Sequence, residues 1–188
     1  MSILTILQEP EKTLRKMALE VSPEEIKSPK IQNLIRDMSD TLHSIDIGIG
    51  LAAPQIGESL RIFIISEEVL VAKRGKKDGD REEYKKSKAG KKWKHFVFIN
   101  PKIIRISEEK NLVPEGCLSV DNIFGQIKRS KKAVIEALNE NGKKFRRSAS
   151  GLFAQAIQHE TDHLNGILFI DSAINLKKLD EDTTSGKS

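Results

Sequence analysis

The sequence predicts an α+β fold, on three observations. Runs rich in β-branched residues cluster in the middle of the chain, and helical apolar spacing occurs near both ends. Strand and helix signals also fail to alternate, as a parallel sheet would require. With 188 residues the chain is long enough for one well-buried core and short for two. A single domain over residues 1–175 is expected, with a basic insertion at 66–94 and a polar tail at 176–188.

Ile3 to Leu7 is a short apolar stretch ahead of a turn near Pro10. A helix is expected from Pro23 to His43. Glu24 and Glu25 would sit in its first turn, and Ile31, Leu34, Ile35, Met38 and Leu42 recur at helical spacing. Ser28-Pro29 interrupts it and is expected to split or kink it. Gly48 to Gly57 is punctuated by glycine and proline and excludes regular helix. Arg61 to Ser66, His95 to Asn100 and Lys102 to Ile106 read as strands, the last two separated by Pro101. Lys132 to Leu138 and Lys143 to Arg147 flank Asn139 to Gly142, a hairpin signal. Ser150 to Leu164 reads as a second helix, capped by Ser150, with Leu152, Phe153, Ala156, Ile157 and Leu164 on one face. Asn165-Gly166 ends it.

Charge and cysteine content narrow the function classes. The net charge of +5 suggests nucleic acid, but its position argues otherwise. Lys73 to Lys94 holds eleven basic and four acidic residues, a net of +7, so the rest of the chain carries −2. The basicity belongs to one lysine-rich segment, which reads as a solvated loop between strands. No apolar run approaches the roughly 18 residues of a spanning helix, and Met1 to Pro10 lacks a secretory pattern. A single cysteine excludes an internal disulfide, and a cytoplasmic, reducing compartment is expected.

The sharpest chemical signal is His159-Glu160-Thr161-Asp162-His163. Two histidines four apart on a helix present both imidazoles from one face to one cation, and the intervening glutamate reaches a water without binding the ion. The pattern is shared by unrelated metallopeptidases. A catalytic ion takes three protein ligands and keeps one position open. His43, His95 and Cys117 are the candidates for the third ligand. Cys117 is favoured because it follows Gly116, which permits close backbone approach, although a lone cysteine is more often a buried small hydrophobe. Gly48 to Gln55 is a poor phosphate loop, lacking the Gly-Lys-Ser/Thr ending, and instead offers Gln55 as an amide donor.

Taken together, Gly48 to Gln55, Glu115-Gly116-Cys117-Leu118-Ser119 and Gln158-His159-Glu160-Thr161-Asp162-His163-Leu164-Asn165-Gly166 closely resemble the peptide deformylase family, in the same order. The resemblance runs over about residues 3 to 171. It implies mixed or antiparallel sheets wrapped around a central helix bearing the two histidines, and removal of the formyl group from N-terminal formylmethionine, releasing formate. It implies metal ligation by Cys117, His159 and His163, with iron(II) as the natural ion and zinc, nickel or cobalt as alternatives. Glu160 would be the proton carrier, and Gln55 with the Leu118 backbone N–H would stabilise the oxyanion. Formylmethionyl peptides would be bound by Ile49, Gly50, Val113, Glu115, Leu152, Ala156 and His159, with Glu115 paired to Arg129. Asp121-Asn122 stand where many members have proline, and Gln155 occupies a helix position more often apolar or basic. The long basic C-terminal helix of some bacterial members is lacking, so the 66–94 segment is the expected place for any ribosomal RNA contact. Rival readings are a metallopeptidase, which gives Cys117 no role, and an RNA-binding protein with a vestigial metal site.

Overall fold

The computed structural model describes residues 3–45, 48–70 and 94–178. Two helices and eight strands fall within them: α1 (Pro29–Ser44), β1 (Gly50–Ala52), β2 (Ile62–Ser66), β3 (His95–Ile106), β4 (Lys110–Cys117), β5 (Val120–Ser130), β6 (Lys132–Leu138), β7 (Lys144–Ser150), α2 (Gly151–Leu164) and β8 (Ile174–Lys178). One sheet has the order β1-β2-β3-β6-β7, and a second β4-β5-β8. Every pairing between these strands is antiparallel; an isolated bridge, Leu19 to Leu60, is parallel. The α+β class stands.

The first helix starts later than its periodicity suggested. Residues 23–27 form turns, and α1 begins at Pro29 with Ser28 as its cap, whose side chain accepts from the Ile31 N–H. Pro29 is responsible: a residue before proline is pushed out of the helical region, and Ser28 sits at φ −65°, ψ 151°. Pro101 does not divide two strands either. β3 runs through it with a register shift between Ile99 and Lys102, while Asn100 takes a left-handed φ of 48°. The shift accommodates a residue that has no N–H for the ladder. The Asn100 amide then pairs with both backbone groups of Val21, at 2.9 and 2.7 Å.

β2 explains why both helices dock where they do. All five of its residues are buried. Phe63 and Ile65 pack with Phe153, Ala154, Ala156 and Ile157 of α2, whereas Ile62 and Ile64 pack with Ile31, Ile35, Met38 and Leu42 of α1. A strand with apolar residues on both faces is covered on both. α2 contacts β1, β2, β6 and β7 of the first sheet and β5 of the second. A smaller cluster under the second sheet joins Val113, Val120, Ile127, Leu168 and Phe169.

The ends of α2 differ from expectation at one terminus. Ser150 is the cap residue, but its side chain makes no capping hydrogen bond; Gly151 at φ +62° makes the entry turn. At the other end Gly166, at φ +73°, stops the helix as expected, and a Cβ there would meet the Arg15 carbonyl oxygen at 2.5 Å. β8 continues to Lys178, past the boundary expected at 175. Of the 66–94 segment, Glu67–Leu70 is a short 3-10 helix; residues 71–93, which hold most of its charge, lie outside the described residues, as does the tail beyond 178.

Candidate metal centre and its cavity

Three segments distant in sequence meet at one place. β1 and the 3-10 turn Ala53–Ile56 bring Gly50 and Gln55. The end of β4 and the turn into β5 bring Glu115 to Ser119, and α2 brings His159, Glu160 and His163. The N-terminal strip ties the first two together: the Leu7 N–H donates to the Gln55 carbonyl at 2.7 Å, and the Glu9 N–H to the Ser119 carbonyl at 2.9 Å.

The Cys117 Sγ and one ring nitrogen of each of His159 and His163 all lie within 4.8 Å of one another. His163 Nε2 is 3.2 Å from Cys117 Sγ and 3.2 Å from His159 Nε2. A tetrahedral site with ligand bonds of roughly 2.0–2.3 Å has edges of about 3.4–3.6 Å, so the three donors fit one ion. The Ser119 N–H donates to the sulfur at 3.4 Å. His43 and His95, the other candidate ligands, meet edge to face with ring centroids 4.7 Å apart and take no part in this cluster.

His159 is oriented from behind, whereas the buried Nδ1 of His163 has no hydrogen-bond partner among the described residues. His159 Nδ1 donates to Glu115 Oε1 at 2.7 Å, which leaves Nε2 to face the cluster. Arg129 grips the same carboxylate in bidentate fashion, Nη2 to Oε1 at 2.6 Å and Nε to Oε2 at 3.1 Å, and reaches Asp162 at 2.6 Å with Nη1. Burial alone would raise the Glu115 pKa, but the bonds from His159 and Arg129 outweigh it and bring it down to about 2. Burial lowers His163 well below the usual histidine value and keeps it neutral, as a ligand must be. His159 is raised: burial opposes this, and the Cys117 sulfur and Glu115 overcome it. A cation on Nε2 takes the place of that proton.

Glu160 is 3% exposed, and burial pushes its pKa up to about 7. Its Oε2 has no hydrogen-bond partner among the described residues. Its carboxylate fills the space beside Gly50, where a Cβ would meet Oε1 at 2.3 Å. Gln55 is 1% exposed. Its Oε1 accepts from the Ala52 N–H at 2.8 Å, which turns the NH₂ toward Ser119 Oγ at 3.2 Å and Cys117 Sγ at 3.7 Å.

These groups open onto a cavity of about 390 Å³. Ile49, Gly50, Gln55, Glu115, Leu118, Leu152, Ala156 and Glu160 all line it. Val113 does not, correcting its assignment to the pocket: its side chain is buried with Val120, Ile127, Leu168 and Phe169. Val113 shares the face of β4 that carries Glu115 but lies two residues nearer the start of the strand, where Leu168 and Phe169 cover it. Gly48, Pro114, Gly116 and Phe124 also line it and were not assigned to the pocket from sequence; Gln155, noted from sequence as a departure from the family pattern, lines it as well. Phe124 lies directly across β5 from Gly116, and a Cβ at 116 would strike its ring at 2.6 Å. A glycine opposite an aromatic is a usable signal once the register is known, and only then.

Such an arrangement is chemically narrow. Three side chains could hold one cation and leave a position for water. A buried carboxylate that titrates near neutrality stands ready to take and return a proton. This is the working part of a metal-dependent hydrolase. A family model described as polypeptide deformylase matches residues 3–179. A peptide deformylase of Psychrobacter cryohalolentis is 38% identical over 180 residues, covering 95% of this chain and 83% of that protein. The crystal structure of a peptide deformylase from Legionella pneumophila superposes with a TM-score of 0.75 at 34% identity, over 93% of this chain and 88% of the other. That of the Synechococcus elongatus enzyme in complex with actinonin gives 0.74 at 33%, over 92% and 79%. The chain belongs to the polypeptide deformylase family, whose members remove the N-formyl group from newly made peptides.

Proposed function

We propose that the formyl amide of an N-terminal formylmethionine is hydrolysed at the cluster of Cys117, His159 and His163, which hold a single divalent ion within one catalytic domain, and that α2 is the central helix around which both sheets wrap. The convergence of those three donors within 4.8 Å carries the reading. The ion supplies a Lewis acid and a water whose pKa falls from near 16 to about 7. Glu160 takes the proton of the attacking water and delivers it to the leaving nitrogen. Gln55 Nε2 and the Leu118 backbone N–H donate to the formyl oxygen as charge builds there, each such donor being worth ~3 kcal/mol. The methionine side chain enters the apolar part of the cavity between Ile49, Leu152 and Ala156, and Gly50 admits the peptide backbone.

The sulfur donor is compatible with several divalent ions. Iron(II) is the proposed natural one, with zinc, nickel or cobalt able to replace it, and an iron–thiolate site is expected to be oxygen-sensitive. Location in the cytoplasm is part of the proposal; among the described residues no helix is long and apolar enough to cross a membrane. So is contact between the basic 66–94 segment and ribosomal RNA. The net +7 of Lys73 to Lys94 supports that contact, and co-sedimentation with ribosomes that is unchanged on deleting the segment would remove it.

The deciding experiment is an assay of formate release from a formyl-Met peptide after anaerobic loading with iron(II). Stoichiometric formate with the peptide bonds intact is expected. Internal cleavage without formate would instead indicate a metallopeptidase, and no turnover with any of the four metals would leave only the binding-protein reading.

A further inference from the structure

Leu152, Gln155, Ala156 and His159 all line the cavity from α2, one turn apart, and Gln155 is the polar member that holds no metal. It is 7% exposed, so a polar amide has been placed in an otherwise apolar wall. Such a group is costly to bury unless it is bonded. Its Nε2 donates to the Pro114 carbonyl at 2.9 Å and to Glu115 Oε2 at 3.1 Å. Glu115 thereby collects four donors: His159 Nδ1 and Arg129 Nη2 on Oε1, and Arg129 Nε and Gln155 Nε2 on Oε2.

We propose that Gln155 is a positioning residue for the metal centre, bracing Glu115, and through it the His159 ring, from the wall of the substrate pocket. The claim rests on the ligand set proposed above. The reasoning is geometric. Arg129 approaches Glu115 from β5, its neighbour in the second sheet, so it holds the carboxylate within that sheet. Gln155 bonds it from α2, the helix that carries the two imidazoles, and its second bond pins the adjacent Pro114 carbonyl. The His159–Glu115 and Arg129–Asp162 bonds also cross between the second sheet and α2, and Gln155 adds two more to β4, which carries Cys117, one turn before His159. Removing the donors frees the carboxylate to rotate about its remaining partners and lets His159 Nε2 wander from the sulfur.

Two substitutions separate this role from simple packing. Gln155→Met keeps the length and volume but has no donors. Gln155→Glu keeps the shape and places a carboxylate against Glu115. The probe is cobalt(II), whose thiolate charge-transfer absorption reports ligation by Cys117, and the readout is the rate at which a chelator strips the ion. Disturbing a ligand's outer partner costs 10–100-fold in metal affinity. Release is expected to accelerate on the order of tenfold in Gln155→Met and more in Gln155→Glu, with a shifted absorption band. Release at the wild-type rate in Gln155→Met, with the protein folded by circular dichroism, overturns the inference; if Gln155→Glu fails to fold, Gln155→Met alone decides. Absence of the charge-transfer band from wild-type protein would sink the ligand assignment itself, a separate outcome.

Discussion

A methyl group added to Gly50 would stand 2.3 Å from Oε1 of Glu160 and 2.8 Å from its carboxyl carbon. The contact is closer than any real Cβ tolerates, and Glu160 is walled in by burial, so its carboxylate has to move. Displacement of a reacting group by about 1 Å can cost on the order of 10²-fold in rate. Gly50→Ala is therefore expected to lower kcat by about that factor. The melting temperature and metal content should change little, because β1 lies at the sheet edge. Unaltered kcat in a metal-loaded variant would show that Glu160 is not confined from this side.

Glu160 itself should dissociate binding from turnover. It lies beside the donor cluster without belonging to it, so Glu160→Ala is expected to retain the ion. Loss of general acid–base assistance is worth roughly 10²–10⁴-fold. Metal analysis and formate release on the same preparation check both halves. Turnover near the wild-type rate would refute the proton-carrier role.

The buried ion pairs give a stability prediction. Arg129 and Glu115 are each 7% exposed, and Arg129 also bonds Asp162. Arg129→Met strands two carboxylates whose charge the guanidinium balanced, and breaking a buried pair from one side costs about 3–5 kcal/mol. Chemical unfolding of the metal-free protein should show a loss of that size. Glu115→Gln added to Arg129→Met should recover part of it, since the stranded charge is then gone. Strictly additive losses would argue against the coupling.

What the sequence revealed followed physical rules of different reach. His159 and His163 were legible because four-residue spacing on a helix is a local property. Gln55 and Cys117 needed the joint pattern of three motifs, since neither is informative alone. In the first sheet β2, β3 and β6 were readable from β-branched runs and β7 from the hairpin turn before it, while β1 was read only as non-helical. β4 and β5 were not readable: Pro114, Gly116 and Gly125 break the alternation of a ladder whose apolar face is a small cluster around Val113, Val120 and Ile127. β8 escaped notice because all five of its residues are exposed. Val113 was misplaced because it shares the face of β4 that carries Glu115 and yet is covered by Leu168 and Phe169, which are distant in sequence. Gln155 stood out as a departure, but its bonds to Pro114 and Glu115 depend on two elements meeting 40 residues apart.

Cys117 is the chain's one cysteine, which makes metal removal measurable by thiol chemistry. Its side chain is partly exposed at the cavity, so a small thiol reagent can reach it when nothing else holds the sulfur. The thiolate is the reactive form, and the sulfur lies 3.4 Å from the Ser119 nitrogen and 3.2 Å from His163 Nε2. A bound ion occupies the same lone pairs and suppresses attack. Chelated protein should thus take up one equivalent of reagent quickly, while protein reloaded with zinc should react far more slowly. Zinc at about 100 times its dissociation constant should also stabilise the fold by about 2.7 kcal/mol relative to the chelated form. Equal labelling rates with and without metal would mean that the sulfur does not bind the ion, and the three-donor assignment would fail at its least redundant member.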